Sequence, residues 1–103
     1  MIKIKIKKNN NDIISEVLIT GHANYADYGK DIVCAAVSSI ALTTCNAILS
    51  LEDSIYAKEE SGKLDIKILN DTDINQKLLD NMIVMFKELT NQYPKNIEIR
   101  NEE

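Results

Sequence analysis

The sequence predicts a single α+β domain with the element order ββαββαβ, in which one sheet packs against a central buried helix and a second, amphipathic helix. Three observations carry this prediction: short runs of alternating apolar and polar residues, one long segment with few charges, and one apolar stripe at helical spacing. The chain has 103 residues. This length suits one domain over 1–103 and leaves no room for two.

The N-terminal region is predicted to form a β-hairpin. Ile2, Ile4 and Ile6 alternate with lysines, and a second run with strand character extends from Ile13 to Thr20. The Asn-Asn-Asn-Asp cluster at 9–12 favours a turn between them, because asparagine and aspartate tolerate left-handed backbone and bond to it locally.

The next two segments are interpreted as a loop and a helix. Gly21 to Lys30 matches no strand or helix pattern. Asp31 to about Glu52 is apolar on most sides, so we expect a helix that is covered on more than one face. Asp31 is a good N-cap residue, which predicts that the helix begins there.

The second half repeats the order of hairpin and helix. Strands at 54–60 and 63–69 flank the turn Ser61-Gly62, and residues 96–100 form a short final strand. Between them, Asp73 can cap a helix that Pro94 ends. The apolar stripe of this helix consists of Ile74, Leu78, Leu79, Met82, Ile83, Phe86 and Leu89.

Composition argues against several classes of protein. A net charge of −4 and a pI near 5.0 lack the basic character of a nucleic-acid binder. No stretch reaches the roughly 18 apolar residues of a membrane span. Two distant cysteines suit a reducing compartment. We therefore expect a cytoplasmic protein without direct contact to nucleic acid or membrane.

His22 and Cys34 are the candidate catalytic residues. Walker, dinucleotide-binding, HExxH and CxxC motifs are absent, and one histidine with two distant cysteines cannot form an ordinary zinc site, so no metal and no cofactor are expected. With Asp31 as N-cap, Cys34 lies in the first helical turn, where the helix dipole stabilises a thiolate. His22 could form a thiolate–imidazolium pair with it, and the N–H groups of Cys34 and Ala35 could face an oxyanion.

A purely structural interpretation of Cys34 stays open. Cysteine is among the most buried residue types, and a helical cysteine between Val33 and Ala35 is also typical of a core. Cys45, further along the same predicted helix in an apolar setting, is interpreted as structural.

Several neighbouring residues also have two interpretations. Asp31 caps the helix or orients the imidazole of His22. Ser38, one helical turn after Cys34, lines the site or bonds back to its own helix.

The loop residues are equally open to two interpretations. Gly21 and Gly29 hinge a lid over the thiol or serve turn geometry alone. Tyr25 and Tyr28 contact a peptide or pin the loop to the sheet.

Residues 21–38 resemble the signature of the ribosomal-processing cysteine protease family, Prp. The resemblance is carried by Gly-His-Ala at 21–23, a short loop with Gly29 at a family position, and Asp-Ile-Val-Cys-Ala-Ala-Val-Ser at 31–38. Length and element order fit the family over the whole chain.

This resemblance implies an endopeptidase that removes the N-terminal extension of bacterial large-subunit ribosomal protein twenty-seven, so that the mature protein can enter the ribosome. His22 and Cys34 match the family's catalytic pair, and Asp31 matches an acidic residue beside them. The loop from Gly21 to Lys30 would shape the peptide site. The ribosomal protein precursor would be the substrate partner, and the family is homodimeric.

Two other functions remain open at this point. One is a non-catalytic ribosome-associated interaction module. The other is a different thiol enzyme, such as an acyltransferase or a redox protein, although no resolving cysteine lies near Cys34.

Overall fold

Five strands and two helices follow one another in the predicted order ββαββαβ. The computed structural model describes residues 1–21 and 28–102, and of residues 28–31 the backbone alone. The elements are β1 (Ile2–Lys8), β2 (Ile14–Thr20), α1 (Tyr28–Leu51), β3 (Ile55–Glu60), β4 (Lys63–Ile68), α2 (Asp73–Gln92) and β5 (Ile97–Glu102). The predicted α+β class is confirmed.

The five strands form one sheet in the order β3-β4-β2-β1-β5. Only the β1–β5 pair is parallel; β1–β2, β2–β4 and β3–β4 are antiparallel. Thr20, the last residue of β2, lies opposite Lys3 on one side and Lys63 on the other. The chain therefore leaves β2 between the start of β1 and the β3–β4 turn.

One face of the sheet and one stripe of each helix share the core, but Ile74 of the predicted α2 stripe is 41% exposed. The strand members of the core are largely isoleucine, because alternation places every second residue of a strand on the same face. Each fully buried side chain of this size contributes about 1.5–3 kcal/mol relative to an exposed one. The largest fully buried side chains include Ile4, Ile6, Ile19, Ile48, Ile66, Leu79, Met82 and Phe86.

Helix α1 begins at Tyr28, three residues before the predicted start. Asp31 is its fourth residue, so the prediction that Asp31 is the N-cap is wrong. Residues 28–30, predicted as loop, are helical. Because the extra residues lengthen the helix at its N-terminal end, every later position lies almost one turn deeper in α1 than the sequence predicted.

The rest of the chain covers one stripe of α1 and not several faces. The buried stripe is Val33, Val37, Ala41, Cys45 and Ile48. Ile32, Leu42 and Leu49 are 53%, 39% and 46% exposed. The prediction that other elements cover α1 on more than one face is therefore wrong for the single chain. Ile32–Leu51 is also long and apolar enough to cross a membrane by length and composition alone, which the sequence expectation had excluded.

The N-cap of α2 is Thr72 and not the predicted Asp73. The Thr72 hydroxyl accepts a bond from the Asn75 N–H, and the Asn75 carboxamide accepts one from the Thr72 N–H. This reciprocal capping box satisfies donors that a helix start otherwise leaves unpaired.

Asn75 also joins three elements at this end of the protein. Its side chain is fully buried and donates to the Ser54 hydroxyl and to the Asn70 carbonyl, both at 2.9 Å. The Thr72 hydroxyl donates to Glu52 at 2.5 Å. The network links the end of α1, the start of β3 and the start of α2. A buried polar group of this kind contributes only about 0.5–1.5 kcal/mol per bond, but removing one partner costs the desolvation of those that remain.

Gln76 ties α2 to the start of β2. Its Oε1 accepts from the Ile14 N–H at 2.9 Å, and its Nε2 donates to the Ile14 carbonyl at 3.0 Å. The carboxamide thus pairs with Ile14 as a peptide group of a neighbouring strand would. It does so next to the register irregularity of the β1–β2 ladder at Lys7 and Lys8.

The sheet face opposite the helices carries a carboxyl pair. Glu16 of β2 and Asp65 of β4 are diagonal neighbours, since Glu16 lies opposite Lys67. Asp65 Oδ1 is buried and, within the described residues, has no hydrogen-bond partner. The neighbouring Asp65 carboxylate and burial raise the pKa of Glu16, while Lys7 and Lys67 oppose the shift.

We expect Glu16→Gln to stabilise the protein at pH 7. A raised pKa in the folded state means that Glu16 favours folding below its ordinary value of about 4.3 and that this contribution is lost as pH rises through the folded value. Glutamine donates to Asp65 at every pH. Urea unfolding at pH 4 and pH 7 should show a gain over the native chain at pH 7 that shrinks at pH 4.

The matched control is Glu60→Gln, on the same sheet face beside Lys58. It should not reproduce the gain. Equal stability of Glu16→Gln and the native chain at both pH values would contradict a raised pKa of Glu16 in the folded protein.

Candidate active site

The segment that carries His22 leaves the sheet at Gly21. The Gly21 N–H donates to the Gly62 carbonyl at 3.1 Å. The φ angle of Gly21 is +82°, and a Cβ at this position would lie 2.4 Å from the Met1 carbonyl oxygen. Both the backbone conformation and the close approach therefore require glycine.

Cys34 is the seventh residue of α1 and lies in its second turn. It is half-buried and packs against the core, between the buried Val33 and the exposed Ala35. This setting differs from that of a core cysteine, because part of the residue is accessible to solvent. An accessible thiol on a helix anchored by its neighbours suits a nucleophile.

The length of α1 corrects the electrostatic argument made for Cys34. Only the first four N–H groups of a helix lack an intrahelical acceptor, and the dipole effect fades beyond the first turn. Cys34 and Ala35 are the seventh and eighth residues, so their N–H groups are not open to an oxyanion. Stabilisation of a Cys34 thiolate must therefore come mainly from a neighbouring side chain.

Cys45 provides the contrast on the same helix. It is 2% exposed, and burial raises its pKa to about 11. A thiol of this kind is almost entirely protonated at neutral pH and poorly reactive. The interpretation of Cys45 as a packing residue agrees with this setting.

The remaining predicted site residues are placed only in part. Ser38 is half-buried one turn after Cys34 and so shares its face of α1. His22 and Tyr25 lie outside the described residues, as do the side chains of Tyr28 and Asp31. Gly29 is the second residue of α1, which contradicts its predicted place in a hinge or turn at the end of the loop.

One cavity among the described residues lies away from Cys34 and has no residue of α1 in its lining. It has a volume of about 580 Å³ and is lined by the β1–β2 turn, α2 and the end of β5, with Lys8, Asp12, Asp80 and Lys87 among its side chains. Within residues 1–21 and 32–102, no group of three or more histidine, cysteine, aspartate or glutamate side chains could hold a metal. The predicted absence of a metal is not tested by this, since His22 and Asp31 lie outside those ranges.

Sequence reasoning missed two contacts at the base of the site. Met1 and Gly62 both meet Gly21 through their main-chain carbonyl groups. Main-chain groups leave no signature in a residue pattern. The one available signal was the prediction of Ser61-Gly62 as a turn, but only the strand order β4-β2-β1 places it beside Gly21.

The chain is similar over nearly its whole length to proteins of one known family. The profile of the cysteine protease Prp family matches residues 1–98. The ribosomal processing cysteine protease Prp of Staphylococcus aureus is 30% identical over 103 residues, which cover 96% of this chain and 97% of the relative. The Mycoplasma genitalium protein of the same name is 32% identical over 105 residues, covering 99% and 97%.

Solved structures agree with these sequence relatives. The crystal structure of the S. aureus protease with a covalently linked product peptide has a TM-score of 0.88 and 28% identity, and the match covers 99% of this chain and 100% of that one. A second S. aureus structure, with a substrate peptide, has the same TM-score at 27% identity. The chain therefore belongs to the Prp family of cysteine proteases, hydrolases that act on peptide bonds.

Proposed function

We propose that this protein removes the N-terminal extension of large-subunit ribosomal protein twenty-seven in the cytoplasm, with Cys34 as nucleophile and His22 as general base and acid. The observation that supports it best is the half-buried Cys34, one residue after the core anchor Val33, in a chain that matches the Prp family over residues 1–98. The S. aureus relative binds a substrate peptide, which supports a peptide substrate here.

The proposed reaction has two steps that His22 connects. The imidazole accepts the thiol proton, and the Cys34 sulfur attacks the scissile carbonyl carbon to form a tetrahedral intermediate. The imidazolium then donates its proton to the amine of the leaving peptide as the C–N bond breaks. Water, deprotonated by the same imidazole, attacks the thioester, releases the acid product and restores the thiol.

Asp31 is proposed to orient the imidazole of His22. With α1 starting at Tyr28, capping no longer accounts for an aspartate at this position. A carboxylate bonded to one imidazole nitrogen fixes the tautomer and stabilises the imidazolium. Stabilisation by a carboxylate matters more for Cys34 than for a thiol in the first turn of a helix, because the helix dipole adds little at the seventh residue. Tyr25, Tyr28 and Ser38 are proposed to contact the peptide.

Cleavage of the extended ribosomal protein from the same organism should depend on this pair. Cys34→Ala should lower the rate by about 10⁴-fold or more, because no other nucleophile replaces the thiol. His22→Ala should lower it by about 10²–10⁴-fold. The measurement is the mass of the shortened product and its rate of appearance.

Cys45→Ala is the matched control and should cleave at nearly the native rate, although loss of a buried thiol will lower stability. A native chain that gives no shortened product would refute the substrate. A Cys34→Ala variant that still cleaves would refute the nucleophile.

Thiol labelling distinguishes an enzyme from a non-catalytic interaction module. At pH 7 we expect iodoacetamide to modify Cys34 much faster than Cys45, because the pKa of Cys45 is raised to about 11 by burial and the thiolate is the reacting form. Peptide mass mapping over time measures both rates. Equally slow labelling of the two thiols would favour the module.

We also propose that the protein is a homodimer through the exposed apolar side of α1. Leu42 and Leu49 are exposed and seven residues apart, so they share one face of the helix, and the exposed Ile32 lies about a quarter of a turn around the axis from them. An isologous interface pairs one such patch with its own copy. Burial against a second copy would remove apolar surface that a single chain leaves in water.

Leu42→Glu combined with Leu49→Glu should convert the dimer to a monomer, because each subunit would bury two charges against its copy. Sedimentation equilibrium measures the change in mass. Val84→Glu, at an exposed apolar position on α2, is the control and should leave the mass unchanged. A native chain that sediments as a monomer would refute the proposal.

A further inference from the structure

Gly21 is held from two sides by main-chain groups of other elements. On one side its N–H donates to the Gly62 carbonyl at 3.1 Å. On the other, the Met1 carbonyl oxygen occupies the space where a Cβ would lie, 2.4 Å away. Met1 precedes β1, whose Ile2 N–H donates to the Asn96 carbonyl at 2.8 Å, so this side belongs to the paired part of the sheet.

The acceptor on the first side belongs to a tight turn. Ser61 and Gly62 connect β3 to β4 with φ angles of +26° and +80°. Positive φ at both central residues is the geometry that matches the twist of a two-residue hairpin. The turn is fixed by the β3–β4 and β2–β4 ladders, in which Lys63 lies opposite Glu60 and Thr20.

We propose that the Ser61–Gly62 turn is a positioning element for the catalytic histidine, acting through the Gly21 N–H. The inference rests on the proposed function, in which His22 is the base. The turn touches no substrate in this role. It holds the Thr20–Gly21 peptide group, one residue before His22, through the bond between the Gly21 N–H and the Gly62 carbonyl.

The physical need for such an element comes from glycine itself. Glycine populates more backbone conformations than any other residue. An unrestrained glycine directly before a catalytic base would therefore leave the position of that base poorly defined. The hydrogen bond to the Gly21 N–H and the Met1 carbonyl packed beside its Cα reduce the number of conformations open to Gly21. Misplacement of a reacting group by about 1 Å can lower the rate about a hundredfold.

Two variants displace the acceptor without substituting His22 or Cys34. Gly62→Val is strained because a β-branched residue disfavours positive φ. Insertion of one glycine between Ser61 and Gly62 lengthens the turn instead, which hairpins tolerate. Gly62→Asn is the conservative variant, since asparagine accepts left-handed backbone.

Asp12→Ala is the matched control. Asp12 also has a positive φ, +62°, in the β1–β2 turn, which lies at the opposite end of β2 from Gly21. It therefore reports the cost of a strained turn without contact to Gly21. Thermal unfolding and circular dichroism of all variants confirm which of them remain folded at the assay temperature.

For the folded variants, we expect Gly62→Val and the insertion to lower kcat by about tenfold to a hundredfold with KM changed by less than about twofold. The pH at which Cys34 alkylation accelerates should move up towards the value for an ordinary cysteine, about 8.5. Gly62→Asn should stay within about threefold of the native kcat, and Asp12→Ala should match the native chain.

Two results separate this inference from the proposed function. If His22→Ala slows cleavage and shifts the alkylation profile but both displaced turns behave like Asp12→Ala, the positioning role is wrong and the catalytic pair stands. If His22→Ala leaves cleavage and alkylation unchanged, the catalytic pair itself is wrong, and the positioning role is wrong with it.

Discussion

The packing of one stripe of α1 against the isoleucine face of the sheet is the interaction on which the rest of the structure depends. Val33 and Val37 are buried one turn apart, and Cys34 follows the first of them on the helix surface. The thiol therefore stands at a rigid position because its neighbours cannot move without opening the core. The proposed nucleophile is therefore held in place by core packing, whereas Gly21, the residue before the proposed base His22, is held by main-chain groups of Gly62 and Met1.

The two ends of the molecule are held by different forces. At the end where α2 begins, buried polar groups of Asn75, Ser54 and Thr72 exchange hydrogen bonds. Such a network fixes which elements meet, because a mispaired arrangement would leave the same groups buried and unsatisfied. At the other end, Gly21 meets its neighbours through main-chain carbonyls. At this second end the close approach of the Met1 carbonyl leaves no room for a side chain at Gly21.

The helices and strands could be predicted from the sequence, whereas most contacts between them could not. Isoleucine alternation in β1 and the stripe of α2 are repeated local signals, so they identify a strand and a helix directly. The predicted start of α1 is wrong because Asp31 suits an N-cap by residue type alone, whereas the helix already includes Gly29, which costs about 1 kcal/mol relative to alanine. Thr72 caps α2 in place of Asp73 because Asn75 completes the capping box. The partners of Gly21 depend on strand order, which no local pattern encodes.

The two hydrogen bonds between Gln76 and Ile14 help to fix the register of β2 against β1. A side chain on α2 occupies both polar groups of Ile14, at the point where the β1–β2 ladder is irregular. A shift of one residue would turn Val17 and Ile19 towards water. Exchange of the Ile14 amide hydrogen with solvent is therefore blocked by a helix and not by a strand. The protection of the Ile14 amide from exchange therefore measures whether α2 is packed against the sheet, although Ile14 itself lies in a strand.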